Sequence, residues 1–183
     1  MKNIEIENKN YEMPENWSEI SVEKFENIIK LSGLLNEYKS NIQFALEMFS
    51  LLLDAPIEVI KKLDKGSFNI LSEECKWVNE EVKPKKVEKF EIDGELYVPI
   101  NDFNKMTMGE AIDLELIMNE SNNENLLGNI LPILIRKSKA VLNENGEMVL
   151  KAESFNADDY KKNRELFRKK LMVGDVIYLK NFF

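Results

Sequence analysis

Asn41-Ile42-Gln43-Phe44-Ala45-Leu46-Glu47-Met48-Phe49-Ser50-Leu51-Leu52-Leu53 is apolar on nearly every side when wound as a helix. A surface helix carries one apolar stripe; a helix that is apolar all round must be enclosed by other elements. The flanking segments read as those elements. Ser21 is placed to cap a helix whose apolar positions Val22, Phe25, Ile28, Ile29 and Leu31 lie close to one face. Beyond residue 53, Pro56 opens a short helix over 57–63, and Ser67 is placed to cap another that carries Phe68, Leu71, Cys75 and Val78. At the start of the chain Ile4-Glu5-Ile6 alternates like a short strand, with a turn at 8–10. Trp17, just after Pro14, reads as an aromatic staple at the start of the first helix.

The polar stretch Lys83-Pro84-Lys85-Lys86 reads as a linker. It leads into Phe90-Glu91-Ile92-Asp93-Gly94-Glu95-Leu96-Tyr97-Val98, where Asp-Gly between alternating apolar residues signals a hairpin. A type I′ turn needs positive φ at both central positions, which Asp and Gly tolerate. A second hairpin is expected from Val141-Leu142 and Met148-Val149-Leu150 around Gly146. The remaining second half reads as helix over 107–118, 124–138 and 157–183. Pro132 is expected to bend the second of these or open one of its hydrogen bonds, and Val173-Gly174 to break the third.

Three segments of the first half match three of the second in the same order. Ile20-Ser21-Val22-Glu23-Lys24-Phe25 matches Met106-Thr107-Met108-Gly109-Glu110-Ala111 in pattern. Asn41 and its apolar helix match Asn125 and its own. Lys61-Lys62-Leu63-Asp64-Lys65-Gly66 and the residues to Leu71 match Lys169-Lys170-Leu171-Met172-Val173-Gly174 and the residues to Leu179. The expected fold is therefore mainly α: two pseudo-repeated helical units packed together, with one or two small β-hairpins. The first unit spans 1–82, the linker and hairpin 83–103, and the second unit 104–183, with a hairpin inserted at about 139–156.

Composition bounds the function. With 183 residues, 44% of them hydrophobic, the chain has enough apolar material for a packed interior. A net charge of -8 argues against nucleic acid and anionic lipid as partners. No apolar run is long enough to span a bilayer, and Met1-Lys2-Asn3-Ile4-Glu5 does not read as a signal peptide. The single cysteine, Cys75, fits a reducing compartment and reads as a buried structural thiol. The chain has no histidine, so imidazole-based nucleophile activation, general base catalysis and the usual zinc or haem ligation are excluded. The seven glycines are isolated, and none builds a phosphate loop. These features point away from an enzyme: no catalytic, cofactor-binding or metal-binding residue is expected, and no cofactor. A carboxylate- or lysine-dependent mechanism is the one enzymatic alternative.

Two features carry a possible protein contact. Lys161, Lys162, Arg164, Arg168, Lys169 and Lys170 make one helix basic within an acidic chain. A solvated helix face is the default reading, and a contact surface for an acidic partner the alternative. Phe182 and Phe183 end the sequence as either a core plug or a hook for a partner. Lys161, Arg164, Arg168, Lys169, Phe182 and Phe183 are thus the expected partner-binding residues.

Met13-Pro14-Glu15-Asn16-Trp17-Ser18-Glu19-Ile20-Ser21-Val22-Glu23-Lys24-Phe25 resembles the opening of small proteins encoded in the tail-morphogenesis region of bacteriophages. Further likeness lies in Phe90 to Tyr97, in Met106 to Asp113, and in the ending from Arg164-Glu165-Leu166-Phe167 through Asp175-Val176-Ile177 to Phe182-Phe183. Gly109 departs from the pattern at a position otherwise friendlier to a helix. The resemblance implies a tail assembly chaperone, a non-catalytic phage assembly protein that binds a tape-measure or tail-tube partner in the host cytoplasm. A structural component of the virion, such as a connector, tail or packaged protein, is the alternative it leaves open, as is a homo-oligomer.

Overall fold

A computed structural model describes residues 1–182 apart from Asn101, Phe103, Lys105, Ser121 and Asn123, with the backbone alone for Asn181 and Phe182. The chain divides into two compact units, residues 1–83 with 172–174 and residues 84–171 with 175–183.

The first unit opens with a hairpin of β1 (Lys2–Ile6) and β2 (Lys9–Met13). Its two-residue turn places Glu7 and Asn8 at φ 52° and 62°, the left-handed geometry that fits strand twist. The expected turn at 8–10 is therefore displaced, and a second strand alternates Tyr11 and Met13 into the core. Trp17 follows in a 3-10 turn, Trp17–Glu19, where it stacks edge-on against Phe25 and Trp77 at 5.5 and 5.1 Å. Its Nε1–H donates to the Glu80 carbonyl at 2.8 Å.

Four helices complete this unit. Ser21 caps α1 (Val22–Gly33) by accepting from the Lys24 N–H. Ser40 caps α2 (Asn41–Leu53), which buries Met48, Phe49, Leu52 and Leu53 but leaves Ile42 61% exposed, so it is not enclosed all round as expected; it ends at Asp54 in the left-handed region. After α3 (Ile57–Ile60) comes α4 (Lys65–Glu74), whose cap is Asp64 rather than Ser67. The Asp64 carboxylate accepts from the Gly66 and Ser67 N–H groups, and these bonds hold it below its ordinary value. Residues 172–174 return to this unit: Met172 bridges Ser21, and the Val173 N–H donates to the Ile20 carbonyl at 2.8 Å.

The second unit overturns the expected fold class. The chain is 54% helical and 19% strand, with eight α-helices and two antiparallel sheets among the described residues, a mixed α/β fold rather than a mainly helical one. The Asp93-Gly94 turn forms, at φ 51° and 81°, but it opens a sheet instead of standing as a free hairpin. β3 (Phe90–Ile92) pairs with β4 (Glu95–Pro99), β4 with β5 (Ile135–Leu142), and β5 with β6 (Met148–Ala152), giving the order β3-β4-β5-β6. The expected insertion at 139–156 is thus the far half of that sheet.

The helices α5 (Met108–Glu120), α6 (Leu126–Leu134), α7 (Tyr160–Lys170) and α8 (Val173–Val176) follow the helical expectation only in part. The two segments paired by the repeat argument diverge. Residues 41–53 stay helical throughout, whereas α6 stops after Leu134 and passes directly into β5. Pro132 supplies no N–H for the Gly128 carbonyl and weakens the helix there. Pairing with β4 then takes over the backbone: the Ile100 N–H donates to the Leu134 carbonyl at 2.7 Å, and Pro99 sits opposite Ile135. Matching hydrophobic pattern therefore did not mean matching structure.

Candidate functional site

α6 is the buried centre of the second unit, with Leu127, Ile130, Leu131, Ile133 and Leu134 all enclosed. α5 and α7 both pack on it. Between them lies a groove of about 970 Å³ with Asn129 of α6 among its lining residues. One wall is Asp113, Leu116, Ile117 and Glu120 of α5, at the spacing of a single helix face. The other is Tyr160, Lys161, Arg164 and Glu165 of α7, and Phe155 lies at the approach to that helix.

Asn129 fixes the position of α7. The Tyr160 hydroxyl donates to its carbonyl at 2.9 Å, and the Arg164 Nε–H donates to its side-chain oxygen at 2.6 Å. Burial pushes the Tyr160 phenol above its ordinary value, so it stays a donor at neutral pH. The charges divide across the groove: Asp113 and Glu120 lie on the α5 wall, and Lys161 and Arg164 on the α7 wall beside Glu165.

α5 is the element that sequence reasoning undervalued. Its inner face buries Leu114. A second face leaves Met108 78%, Ile112 52% and Leu116 52% exposed. At a spacing of four residues these three form one stripe, and Leu116 belongs also to the groove wall. The stripe and the groove are thus continuous. The available signal was an excess of apolar residues: Met108, Ile112, Leu114, Leu116, Ile117 and Met118 are more than one buried face of a thirteen-residue helix requires.

The expected contact residues separate. Lys161 and Arg164 line the groove. Arg168 and Lys169 instead gather with Arg164 around one carboxylate, Glu165, at 3.4, 3.9 and 3.3 Å respectively. Such a surface cluster contributes little to stability, although cations in the last turn suit the helix dipole. Phe182 ends the 3-10 turn Ile177–Phe182, and Phe183 lies outside the described residues.

A second cleft, about 870 Å³, contains a buried ion pair that the sequence did not announce. Arg136 is only 5% exposed; its Nη2 lies 3.1 Å from Glu110 Oε1, and its guanidinium sits 4.8 Å from the Phe155 ring centroid. Nη1 is buried and has no hydrogen-bond partner among the described residues. Glu110 also closes the cap of α5: its Oε2 accepts from the Thr107 N–H at 2.8 Å while Thr107 Oγ1 accepts from the Glu110 N–H at 3.3 Å. Burial pushes the Glu110 carboxyl up, but the Thr107 N–H and the Arg136 charge outweigh it and leave the group below its ordinary value.

Cys75 is buried, and desolvation pushes its thiol up to about 12, far from a reactive thiolate. Among the described residues no group of three or more Cys, Asp or Glu is placed to hold a metal ion, and no helix is long and apolar enough to cross a membrane. Comparison with protein-family models, curated proteins and solved structures gives no match to the chain.

Proposed function

We propose that the chain is a non-catalytic bacteriophage assembly protein, a tail assembly chaperone that holds an apolar helical segment of a tape-measure or tail-tube protein against its second unit. One observation carries this reading: α5 exposes the Met108, Ile112, Leu116 stripe directly beside the α5–α7 groove. An apolar face of this kind marks a contact surface, and a groove between two helices suits an amphipathic helix laid lengthwise. The acidic α5 wall and the basic residues of α7 would orient it by charge. The phage context comes from the resemblance of residues 13–25 and of the segments that share its pattern.

The test is co-expression of the chain with a phage tape-measure or tail-tube protein, followed by affinity capture. Replacing Met108, Ile112 and Leu116 together by Ser, Asp and Asp should leave stability within about 0.5 kcal/mol, since exposed positions are being changed. Partner affinity should fall at least about 100-fold, because three apolar side chains lose their burial. Capture equal to that of the unaltered chain would refute the groove as the binding site. Mass spectrometry of purified particles separates the roles: a chaperone is absent from them, and a virion component is present in fixed stoichiometry.

A further inference from the structure

The sheet of the second unit ends in two unlike edges. β3 is three residues long and is flanked and punctuated by Lys89 and Glu91, the short, charged form that discourages pairing. β6 runs Met148-Val149-Leu150-Lys151-Ala152, with Met148 67%, Val149 39% and Leu150 36% exposed. Three consecutive apolar residues are exposed on a strand that is paired on one side only, with β5. Such an edge is a template for another strand.

The geometry of the β5–β6 ladder shows which backbone groups are available. At one end the Asn143 N–H donates to the Glu147 carbonyl at 2.8 Å; at the other the Glu153 N–H donates to the Lys137 carbonyl at 2.8 Å. The register between them is unbroken. Inter-strand bonds alternate along an antiparallel pair, so 147, 149, 151 and 153 direct their N–H and C=O groups toward β5. Residues 148, 150 and 152 direct theirs to the open edge. The side chains add a demand of their own: Lys139 and Lys151 stand directly opposite each other, and neither has an ion-pair partner among the described residues. Like charges in register weaken a sheet unless an acid is supplied nearby.

We infer that β6 pairs antiparallel with β6 of a second copy of this chain, about a two-fold axis at Val149. That register makes Met148 and Leu150 opposite partners in two hydrogen-bonded pairs, which uses the outward-facing backbone groups. It sets Val149 against its own copy in a non-hydrogen-bonded pair. It also sets Glu147 against Lys151 twice, giving each Lys151 the carboxylate its own sheet does not provide. An axis at Leu150 would instead oppose Glu147 to Glu153, and one at Lys151 would oppose two lysines. An axis at Met148 would leave Lys151 facing Asn145 in the turn. The edge is complementary to itself in one register, which is why the occupant is a second copy and the interface isologous. This rests on a different surface from the α5–α7 groove and stands or falls independently of it.

The experiment uses the full chain. Sedimentation velocity over a concentration series should show a monomer–dimer equilibrium. Lys151→Glu and Glu147→Lys should each weaken the dimer by about tenfold, since two opposed charge pairs become repulsive. The double variant E147K/K151E should restore it. Val149→Cys should form an interchain disulfide under mild oxidation, because side chains in a non-hydrogen-bonded pair approach closely; Lys151→Cys, displaced from the axis, should not. Buried Cys75 serves as a silent background thiol in both. A chain that stays monomeric throughout, a double variant as dissociated as the singles, or equal cross-linking of V149C and K151C would each overturn the inference.

Discussion

Replacing Phe167 by alanine is expected to destabilise the second unit by about 3–5 kcal/mol, the range for truncating a fully enclosed phenylalanine. Phe167 is the one completely buried side chain of α7, and it meets Tyr97 of β4 edge-on, with ring centroids 5.2 Å apart. It therefore ties the helical layer to the sheet. Truncation opens a cavity at that junction and also removes an aromatic pair worth about 0.5–1.5 kcal/mol beyond area burial. Domains of this size are stable by only about 5–15 kcal/mol in all, so the loss is a large fraction of the total. Urea titration followed by far-UV circular dichroism measures it. Both tryptophans, Trp17 and Trp77, belong to the first unit, so their fluorescence gives a separate readout of that unit in the same titration. A change below about 1 kcal/mol would mean that the site closes around the missing ring.

Arg136→Met is expected to cost a similar amount, about 3–5 kcal/mol at neutral pH, because it leaves the Glu110 carboxylate desolvated without its counter-charge. The effect depends on pH in a definite direction. In the unaltered chain the Glu110 carboxyl lies below its ordinary value of 4.5, so the stability it contributes is present above that value. That contribution is lost as pH falls through the lowered folded value. In R136M the cation is gone, so the carboxyl rises from its value in the unaltered chain, and protonation relieves the variant. The gap between the two proteins should narrow on acidification. Adding Glu110→Gln to R136M should recover part of the loss at neutral pH, since the buried charge is gone and the amide oxygen still accepts from Thr107, although the amide nitrogen cannot accept from the Phe155 N–H. Denaturant titrations at several pH values check all three statements. A double variant as unstable as R136M would show that packing against Phe155, not the ion pair, holds Arg136 in place.

Local signals in the sequence carried local structure. Ser21 caps α1, the all-round apolar stretch 41–53 forms α2, and Asp93-Gly94 makes its turn, each because a few adjacent residues decide the backbone. The features that change the architecture depend on partners distant in the chain. β4 and β5 pair across the whole of α5 and α6, and nothing within residues 124–138 announces that the second half of an apparently helical run leaves for a sheet. Pro132 hinted at a bend, but the exit into β5 needed β4 as acceptor and donor. The turn at Glu7 and Asn8 lacks glycine and was correspondingly hard to read.

The candidate site divides in the same way. Lys161 and Arg164 were legible as a basic helix face, yet that pattern did not distinguish them from Arg168 and Lys169, which do not line the groove. Arg136 was not legible at all, because arginine is rarely buried and only the fold brings Glu110 and Phe155 around it. The stripe on α5 was masked by its own abundance. Apolar residues lie on several sides of this helix, and only the packed structure shows that Met108, Ile112 and Leu116 are left outside.

Hydrogen–deuterium exchange tests the proposed docking of a helix in the α5–α7 groove most directly. The full chain is compared alone and with a synthetic amphipathic helix that carries one apolar face. Slowed exchange in α5, Met108–Glu120, and α7, Tyr160–Lys170, with the first unit unchanged, is the expected pattern. Binding that protects the first-unit helices and leaves α5 and α7 exchanging as before would contradict it.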